Sequence, residues 1–243
     1  MSDPIRRISD PPPPAAEPAP TAGGAAAAAG MAPEAVVDLL GLVAYGELLA
    51  FERIAGDARL APDLDRRVVL GEMAALEIAH FERVAARLRE LGVVPAAAMA
   101  PYVTALQEYH DSTEPKDWLE ALTKAYVGDG IVDDFLREAA ALLAEPDRQL
   151  VLDVLHGSRY DEFAAAEIRA AIAADPKVAN RLSMWARRLV GEGLSQAGRV
   201  AAERGALSAL IAGGSGQPTA VPAFLRRLTA AHTARMTAVG LNN

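Results

Sequence analysis

The stretch Glu77-Ile78-Ala79-His80 lies inside a long segment of helix-forming residues. In a helix, side chains three residues apart lie on one face, about 60° apart around the axis. The Glu77 carboxylate and the His80 imidazole could therefore bind one metal ion from a single helix. Glu47 lies thirty positions upstream of Glu77, on the preceding helical segment. A Glu on one helix facing a Glu-x-x-His on the next is half of a carboxylate-bridged di-iron site in a four-helix bundle.

The segments around this stretch predict an all-α chain, because no run of alternating apolar and polar residues is long enough for a strand. Four long runs of helix formers are separated by turn residues, at 33–59, 63–91, 117–144 and 147–174. The first and last connections are short. The connection from 92 to 116 is long, with a short helix expected at 103–109. One long crossover between the second and third helices is the connectivity of a ferritin-like four-helix bundle.

Three regions are expected along the chain. Residues 1–31 are rich in Pro and Ala and bury too little apolar surface to offset the entropy of ordering, so they are predicted to be a disordered tail. A proline-rich docking ligand is the alternative for this tail. The bundle is placed at 32–175. Residues 176–243 are predicted to form two more helices that pack on the bundle, with a glycine-rich break at 213–216.

The composition excludes several classes of protein. The net charge is −8 and the pI is about 5.1, which argues against broad nucleic-acid binding through a basic surface. The absence of cysteine excludes disulfides, thiolate nucleophiles and Cys-ligated metal sites. No 18-residue uncharged apolar run occurs, so no transmembrane helix is expected. No apolar segment of a secretory signal follows Arg6 and Arg7, and the cytoplasm is the expected location.

The depth of each candidate ligand in the bundle follows from the turns. In an antiparallel hairpin, two positions equally far from the turn lie at the same level. Glu47 and Glu77 have their midpoint at Pro62, inside the first predicted turn. Glu47 is therefore expected to meet Glu77 and His80 at one level.

The same reasoning places Asp129 level with Arg159 in the second hairpin, where the chain reads Arg159-Tyr160-Asp161-Glu162 instead of a Glu-x-x-His. A guanidinium cannot bind a metal. We expect Arg159 either to join a buried ion network with these acids or to face solvent. Asp133, one turn after Asp129, is a further candidate oxygen ligand. The predicted ligand set suits iron or manganese, as one ion or two, and comprises Glu47, Glu77, His80, Asp129 and Glu162.

Other features have simpler interpretations. His110 and His232 lie in segments predicted to be at the surface and are expected to be solvated. Gly128 and Gly130 flank Asp129 inside a predicted helix, where each costs about 1 kcal/mol relative to Ala, so close packing or access to a site must explain them. A cationic band on the fifth helix is either a solvated face paired with acids or a local phosphate contact, and comprises Arg181, Arg187, Arg188, Arg199 and Arg204.

The chain resembles the ferritin-like superfamily over residues 35–170. Within it, Glu77 and the stretch His80-Phe81-Glu82-Arg83-Val84-Ala85 are similar to the bacterial tRNA hydroxylases that act on 2-methylthio-isopentenyladenosine. Ala44-Tyr45-Gly46-Glu47-Leu48 and Tyr126-Val127-Gly128-Asp129-Gly130 resemble an actinobacterial ferritin-like branch.

This resemblance implies a non-haem di-iron centre that activates dioxygen to hydroxylate a prenyl carbon of a tRNA base. It implies Glu47, Glu77 and His80 as ligands, with Asp129 in place of a Glu. Arg159 and Glu162 depart from the Glu and His that the resemblance would require.

Two functions are therefore considered. The first is a metal-dependent monooxygenase, with modified tRNA as the partner that the resemblance implies. The second is a non-catalytic helical bundle, in which Arg159 replaces a metal charge and the chain acts through protein contacts or as a homodimer.

Overall fold

The computed structural model of the protein describes residues 32–155, 158–203 and 220–242, apart from the side chains of residues 158, 159, 201 and 220–225. The predicted tail at 1–31 and the glycine-rich break at 213–216 lie outside the described residues. Throughout the described part the regular structure is helical and contains no strand, which confirms the all-α prediction. No helix in this part is long and apolar enough to cross a membrane.

The first hairpin follows the sequence prediction closely. Helix α1 (Pro33–Asp57) continues into a 3₁₀ turn (Ala58–Leu60), and α2 (Leu64–Glu90) follows. The Asp63 side chain accepts a hydrogen bond of 2.9 Å from the backbone N–H of Arg66, which caps α2 at its start. Gly92, with φ of 76°, takes the left-handed conformation just after α2 ends. The two helices pack along their length, so residues equally distant from the turn lie side by side.

The crossover holds two helices, α3 (Pro95–Met99) and α4 (Val103–Ser112), of which only α4 was expected. Helix α3 packs directly on the α1 backbone, because a Cβ atom at Gly41 would lie 2.3 Å from the carbonyl oxygen of Ala98. The Tyr102 hydroxyl donates a 2.9 Å hydrogen bond to the carbonyl oxygen of Asp38. These contacts fix the crossover against α1.

The third long segment is not a continuous α-helix. It consists of α5 (Trp118–Thr123), a π-helical segment (Lys124–Asp129) and α6 (Gly130–Ala140). In a π-helix the backbone hydrogen bonds join residues five apart, so side chains after the segment point in directions that differ from those of a regular α-helix. This segment contains Asp129, and it therefore changes the level and direction expected for that carboxylate.

The two glycines beside Asp129 are explained by close packing. A Cβ atom at Gly128 would lie 2.7 Å from the Tyr109 hydroxyl of α4, and one at Gly130 would lie 2.4 Å from Nε of Arg235. A side chain at Gly128 would require the rigid Tyr109 ring to move, and one at Gly130 would require the more flexible end of Arg235 to move.

The fourth segment, expected as one helix over 147–174, is broken. Helix α7 (Asp147–Val154) ends at Leu155, whose ψ of 147° is extended, and α8 (Ser158–Ala174) begins afterwards. The prediction of one continuous helix was wrong at this point. In the sequence, Gly157 separates the residues of α7 from those of α8, and glycine disfavours a helix interior by its high backbone entropy. The depths in the bundle that were predicted by counting residues from the turn at Pro146 therefore do not apply to the residues of α8.

Two further helices follow, α9 (Lys177–Glu203) and α10 (Ala220–Ala238). Helix α9 packs on α4, α5 and the π-helical segment, and α10 packs on α6. One apolar core lies among α1, α2, α3, α6 and α7. A second joins the π-helical segment to α8, α9 and α10. The C-terminal helices therefore share a core with the second half of the bundle.

Candidate metal centre

Three polar side chains occupy core positions on α1 and α2. Glu47, Glu77 and His80 are only 5%, 3% and 7% exposed. Each offers one ligand atom, and these atoms all lie within 4.8 Å of one another. Nδ1 of His80 lies 3.5 Å from Oε2 of Glu47 and 3.7 Å from Oε2 of Glu77. Within the described residues this is the one group of three or more such side chains that could hold a metal ion.

The helical spacing of α2 places these side chains inside. Its buried positions recur every three or four residues, and Glu77 and His80 fall in the same row as Met73, Val84 and Leu88. A carboxylate in such a row is costly unless a cation or hydrogen-bond donors compensate it. Local folding thus forces two carboxylates and an imidazole into a site that favours a positive charge.

The electrostatics of this group are dominated by the two acids. The neighbouring carboxylates, Glu47 first and Glu77 second, raise the pKa of His80 to about 9 against the opposing effect of burial. In the absence of an ion, the imidazole is therefore positively charged at neutral pH. The N–O separations of 3.5 and 3.7 Å exceed those of good hydrogen bonds.

The residues present fit a divalent metal ion. Ligand atoms about 2.1 Å from a shared ion lie about 3.0–4.2 Å from one another, and the distances from His80 to both carboxylates fall in this range. Two carboxylates and one imidazole form a donor set that suits iron or manganese.

Asp129 does not lie in this group. Its carboxylate forms an ion pair with Nη2 of Arg53 on α1, and the two side chains are 14% and 8% exposed. Arg53 follows Glu47 by six residues, about 9 Å along the helix axis. The π-helical segment that contains Asp129 is the physical reason why the level expected from continuous helices does not apply.

Glu162 also lies apart from the group, on an exposed part of α8. The buried positions of α8 with described side chains carry no carboxylate or imidazole and are Tyr160, Ala164, Ala165 and Ile168. The break at Leu155 accounts for this direction of α8. Asp133 is 5% exposed on α6, but it is not in the group either. The Arg159 side chain lies outside the described residues, so its expected pairing stays a prediction.

A family model described as a ferritin-like domain of actinomycetes matches residues 31–214. The chain belongs to this ferritin-like family. The matched range includes α9, whereas the sequence resemblance ended near residue 170. The ferritin-like protein is also similar to a solved structure, protein 19 with aldehyde deformylating oxidase activity from Synechococcus. The TM-score is 0.67 at 18% identity, over 86% of this chain and 91% of the other, which shows a shared fold. No curated protein matches the chain.

The ferritin-like protein contains a second polar cluster, which we call the Arg53 network and which comprises Arg53, Asp57, Tyr109, Lys124, Asp129 and Tyr160. Besides its pair with Asp129, the guanidinium lies 3.9 Å from the Asp57 carboxylate. Burial raises the pKa of Asp57 and, more strongly, that of Tyr160. Sequence reasoning missed Arg53. The available signal was its spacing, because Ala50 and Asp57 lie on the same helical face and are buried.

Lys124 supplies the second cation of the network. Its side chain is buried, and Nζ donates a 2.9 Å hydrogen bond to the carbonyl oxygen of Thr113, at the end of α4. Burial, followed by the charge of Arg53, lowers the pKa of Lys124 to about 8.

Two histidines differ from the sequence prediction. His232 is 6% exposed on α10, so the expectation that it is solvated was wrong. His110 is half-buried on α4 with its Nδ1 atom shielded from solvent, and burial lowers its pKa to about 2, so it is not a fully solvated histidine either. The physical reason is the packing of α10 on α6 and of α4 on α9, which covers both segments.

The cationic band of α9 is engaged within the molecule. Arg181 pairs with Asp117 at 2.7 Å, and Arg199 pairs with Glu108. Arg188 donates to the carbonyl oxygen of Ser112 at 2.6 Å, and Arg187 donates to that of Asn242 at 3.1 Å. Arg204 lies outside the described residues. The four described arginines thus connect α9 to neighbouring elements, which favours the solvated, acid-paired interpretation over a phosphate contact.

Proposed function

We propose that this ferritin-like protein is a metal-dependent oxygenase, with iron bound by Glu47, Glu77 and His80. The observation that carries the proposal is the burial of two carboxylates and an imidazole within 4.8 Å of one another. The shared fold with a protein of aldehyde deformylating oxidase activity supports the same class of chemistry.

The three residues have distinct parts in this proposal. The Glu47 and Glu77 carboxylates would balance the charge of a divalent ion, and they are held on two helices that pack along their length. His80 would bind through an imidazole nitrogen after losing the proton that it holds between the acids. Buried Val43, Ala44 and Val84 on the same helices exclude water from this part of the core. An iron ion bound there would supply redox chemistry with dioxygen.

Metal analysis tests the proposal directly. Protein expressed with iron, or loaded anaerobically with Fe²⁺, is expected to retain metal after desalting, whereas Glu77→Gln and His80→Ala are expected to lose most of it. Glu72→Gln is the matched control, because Glu72 is an exposed acid on the same helix and lies outside the group. Wild-type protein that neither contains nor takes up iron or manganese would refute the metal centre.

The alternative is a non-catalytic bundle, and the pairing of Asp129 with Arg53 is the observation that favours it. An acid expected as a metal ligand is already compensated by a protein cation. This alternative predicts no change in melting temperature on adding Fe²⁺ or Mn²⁺. A rise that is lost in Glu77→Gln would remove the alternative, because binding to the folded state raises its stability.

Two predictions about partners rest on the sequence alone. Hydroxylation of a modified tRNA base follows from the resemblance of the second helix, and gel-shift titration with modified tRNA tests binding. A homodimer is the other prediction, and light scattering on the purified protein measures the mass.

A further inference from the structure

The Arg53 network shows how the partly buried acid Asp129 of the π-helical segment is compensated. A carboxylate removed from water needs a cation or several donors nearby. For Asp129 that cation is the Arg53 guanidinium, which reaches across from α1 to the π-helical segment. Tyr160 of α8 lies beside the same ion pair, and hydrogen bonding to Arg53 affects its pKa. The pair is therefore enclosed by three elements of the bundle.

The charges of this network balance without an ion. Arg53 and Lys124 contribute two positive charges, and Asp57 and Asp129 contribute two negative ones. A guanidinium stays protonated at all accessible pH values, so it cannot give up its place by losing a proton. A metal ion bound at Asp129 would have to displace a permanent charge held on a long helix.

The charge of the candidate metal centre is balanced separately from that of the Arg53 network. The Glu47 and Glu77 carboxylates carry two negative charges, which one divalent ion neutralises. Among the described side chains no second group of metal-binding residues occurs, and the buried row of α8 is formed by Tyr160, Ala164 and Ile168. A second ion would therefore lack a set of ligands among the side chains that the structure describes.

Taking the proposed function as its premise, we propose that this chain binds a single metal ion at Glu47, Glu77 and His80, and that Arg53 is the permanent counter-charge of Asp129 in place of a second ion. Asp129 is accordingly part of the structural support of the bundle and not a metal ligand.

The stoichiometry of binding tests this inference. Wild-type protein is loaded anaerobically with excess Fe²⁺ or Mn²⁺, desalted and analysed for metal per chain. One equivalent is expected in the wild type and in Asp129→Asn, with dissociation constants within about threefold of each other, and less than about 0.2 equivalents in Glu77→Gln. Two equivalents in the wild type, or a loss of metal in Asp129→Asn, would overturn the inference.

A stability measurement tests Arg53 independently of metal. Arg53→Met leaves the partly buried Asp129 without its ion-pair partner and is expected to melt well below the wild type, in the presence of chelator. The double variant Arg53→Met, Asp129→Asn removes both charges and is expected to recover much of that loss. Absence of recovery would overturn the role of Arg53 as counter-charge. Zero metal in the wild type would refute the proposed metal centre. The comparison of the single and double variants would still test the ion pair between Arg53 and Asp129, because it is made without metal.

Discussion

The ammonium group of Lys124 lies inside the molecule, where it is hydrogen-bonded to the end of α4. Its side chain is 1% exposed, and its pKa is about 8 instead of 10.5 because of burial and the charge of Arg53. The carboxylates of Asp129, Asp57 and Glu114 act in the opposite direction. Folding therefore holds a cation in a place where its charged form is disfavoured.

This residue should give the protein a distinctive pH dependence. Between pH 8 and 10 the unfolded chain binds more protons than the folded one, because the folded pKa lies below the unfolded value, so stability rises with pH. We expect the Lys124 contribution to the free energy of unfolding to increase by about 2 kcal/mol over this range. Denaturant unfolding of wild type and Lys124→Met at several pH values measures it, as the difference between the two curves.

Lys116→Met is the matched control, because Lys116 is an exposed lysine just before α5. Its curve should run parallel to that of the wild type. Parallel curves for wild type and Lys124→Met would contradict the lowered pKa of Lys124.

For individual residues, the sequence could predict the three that form the candidate metal centre but not the residues that surround them. Glu47, Glu77 and His80 follow from helical spacing and from symmetry about Pro62, and both are local properties of one hairpin. The ion pair of Arg53 could not be predicted in the same way. Its partner Asp129 lies 76 positions away, on a segment whose backbone departs from the α-helix. The direction of Asp129 depends on that departure, which residue propensities do not encode.

At the scale of elements, the π-helical segment is the feature with the strictest steric requirement. Its Gly128 lies against the Tyr109 hydroxyl of α4, at a distance where an added methyl group cannot be accommodated without movement. The tyrosine cannot retreat easily, because its ring also contacts Lys124 and His110.

Substitution of Gly128 by Ala should therefore destabilise the protein by about 1–3 kcal/mol, the usual cost of overpacking a core. Gly71→Ala in α2 is the control, since a Cβ atom there meets nothing within 4 Å. The control should be neutral or more stable by up to about 1 kcal/mol, because Ala favours a helix interior. Equal effects of the two substitutions in denaturant unfolding would show that the contact at Gly128 is not a constraint.

Helices whose ends are set by local capping residues could be predicted from the sequence, and the others could not. The first hairpin is specified by local residues, with Asp63 as a cap and Gly92 as a stop, and its helices occur where expected. The break between α7 and α8 and the π-helical segment are not specified in this way. Gly157 disfavours a helix between α7 and α8 without fixing where α7 ends, and the π-helical segment is flanked by residues that favour an α-helix, so both features also depend on tertiary packing.

In the molecule as a whole, α10 is attached to α6 by a partly buried ion pair. Nη2 of Arg235 lies 2.8 Å from the Asp134 carboxylate, with both side chains 15% exposed, and its guanidinium lies over Gly130. The same helix contributes Met236 to the core that it shares with α8 and α9.

Arg235→Met should weaken this attachment and lower the free energy of unfolding by about 1–3 kcal/mol, because Asp134 is then left with its more exposed partner Arg137. Hydrogen exchange should become faster in α10 and α6 and stay unchanged in α1 and α2. Arg226→Met, an exposed arginine on the same helix, is the control and should leave both quantities unchanged. Faster exchange throughout the chain would mean that Arg235 supports the fold globally.

The contacts of the α9 arginines have a consequence for association in solution. Guanidinium groups that already neutralise acids and carbonyl dipoles attract an approaching polyanion weakly, and the chain as a whole carries a charge of −8. Long-range attraction therefore does not steer phosphate-rich molecules toward this face. Encounters with such molecules should become more frequent as ionic strength rises and screens the repulsion, whereas a cationic or uncharged substrate meets no such barrier.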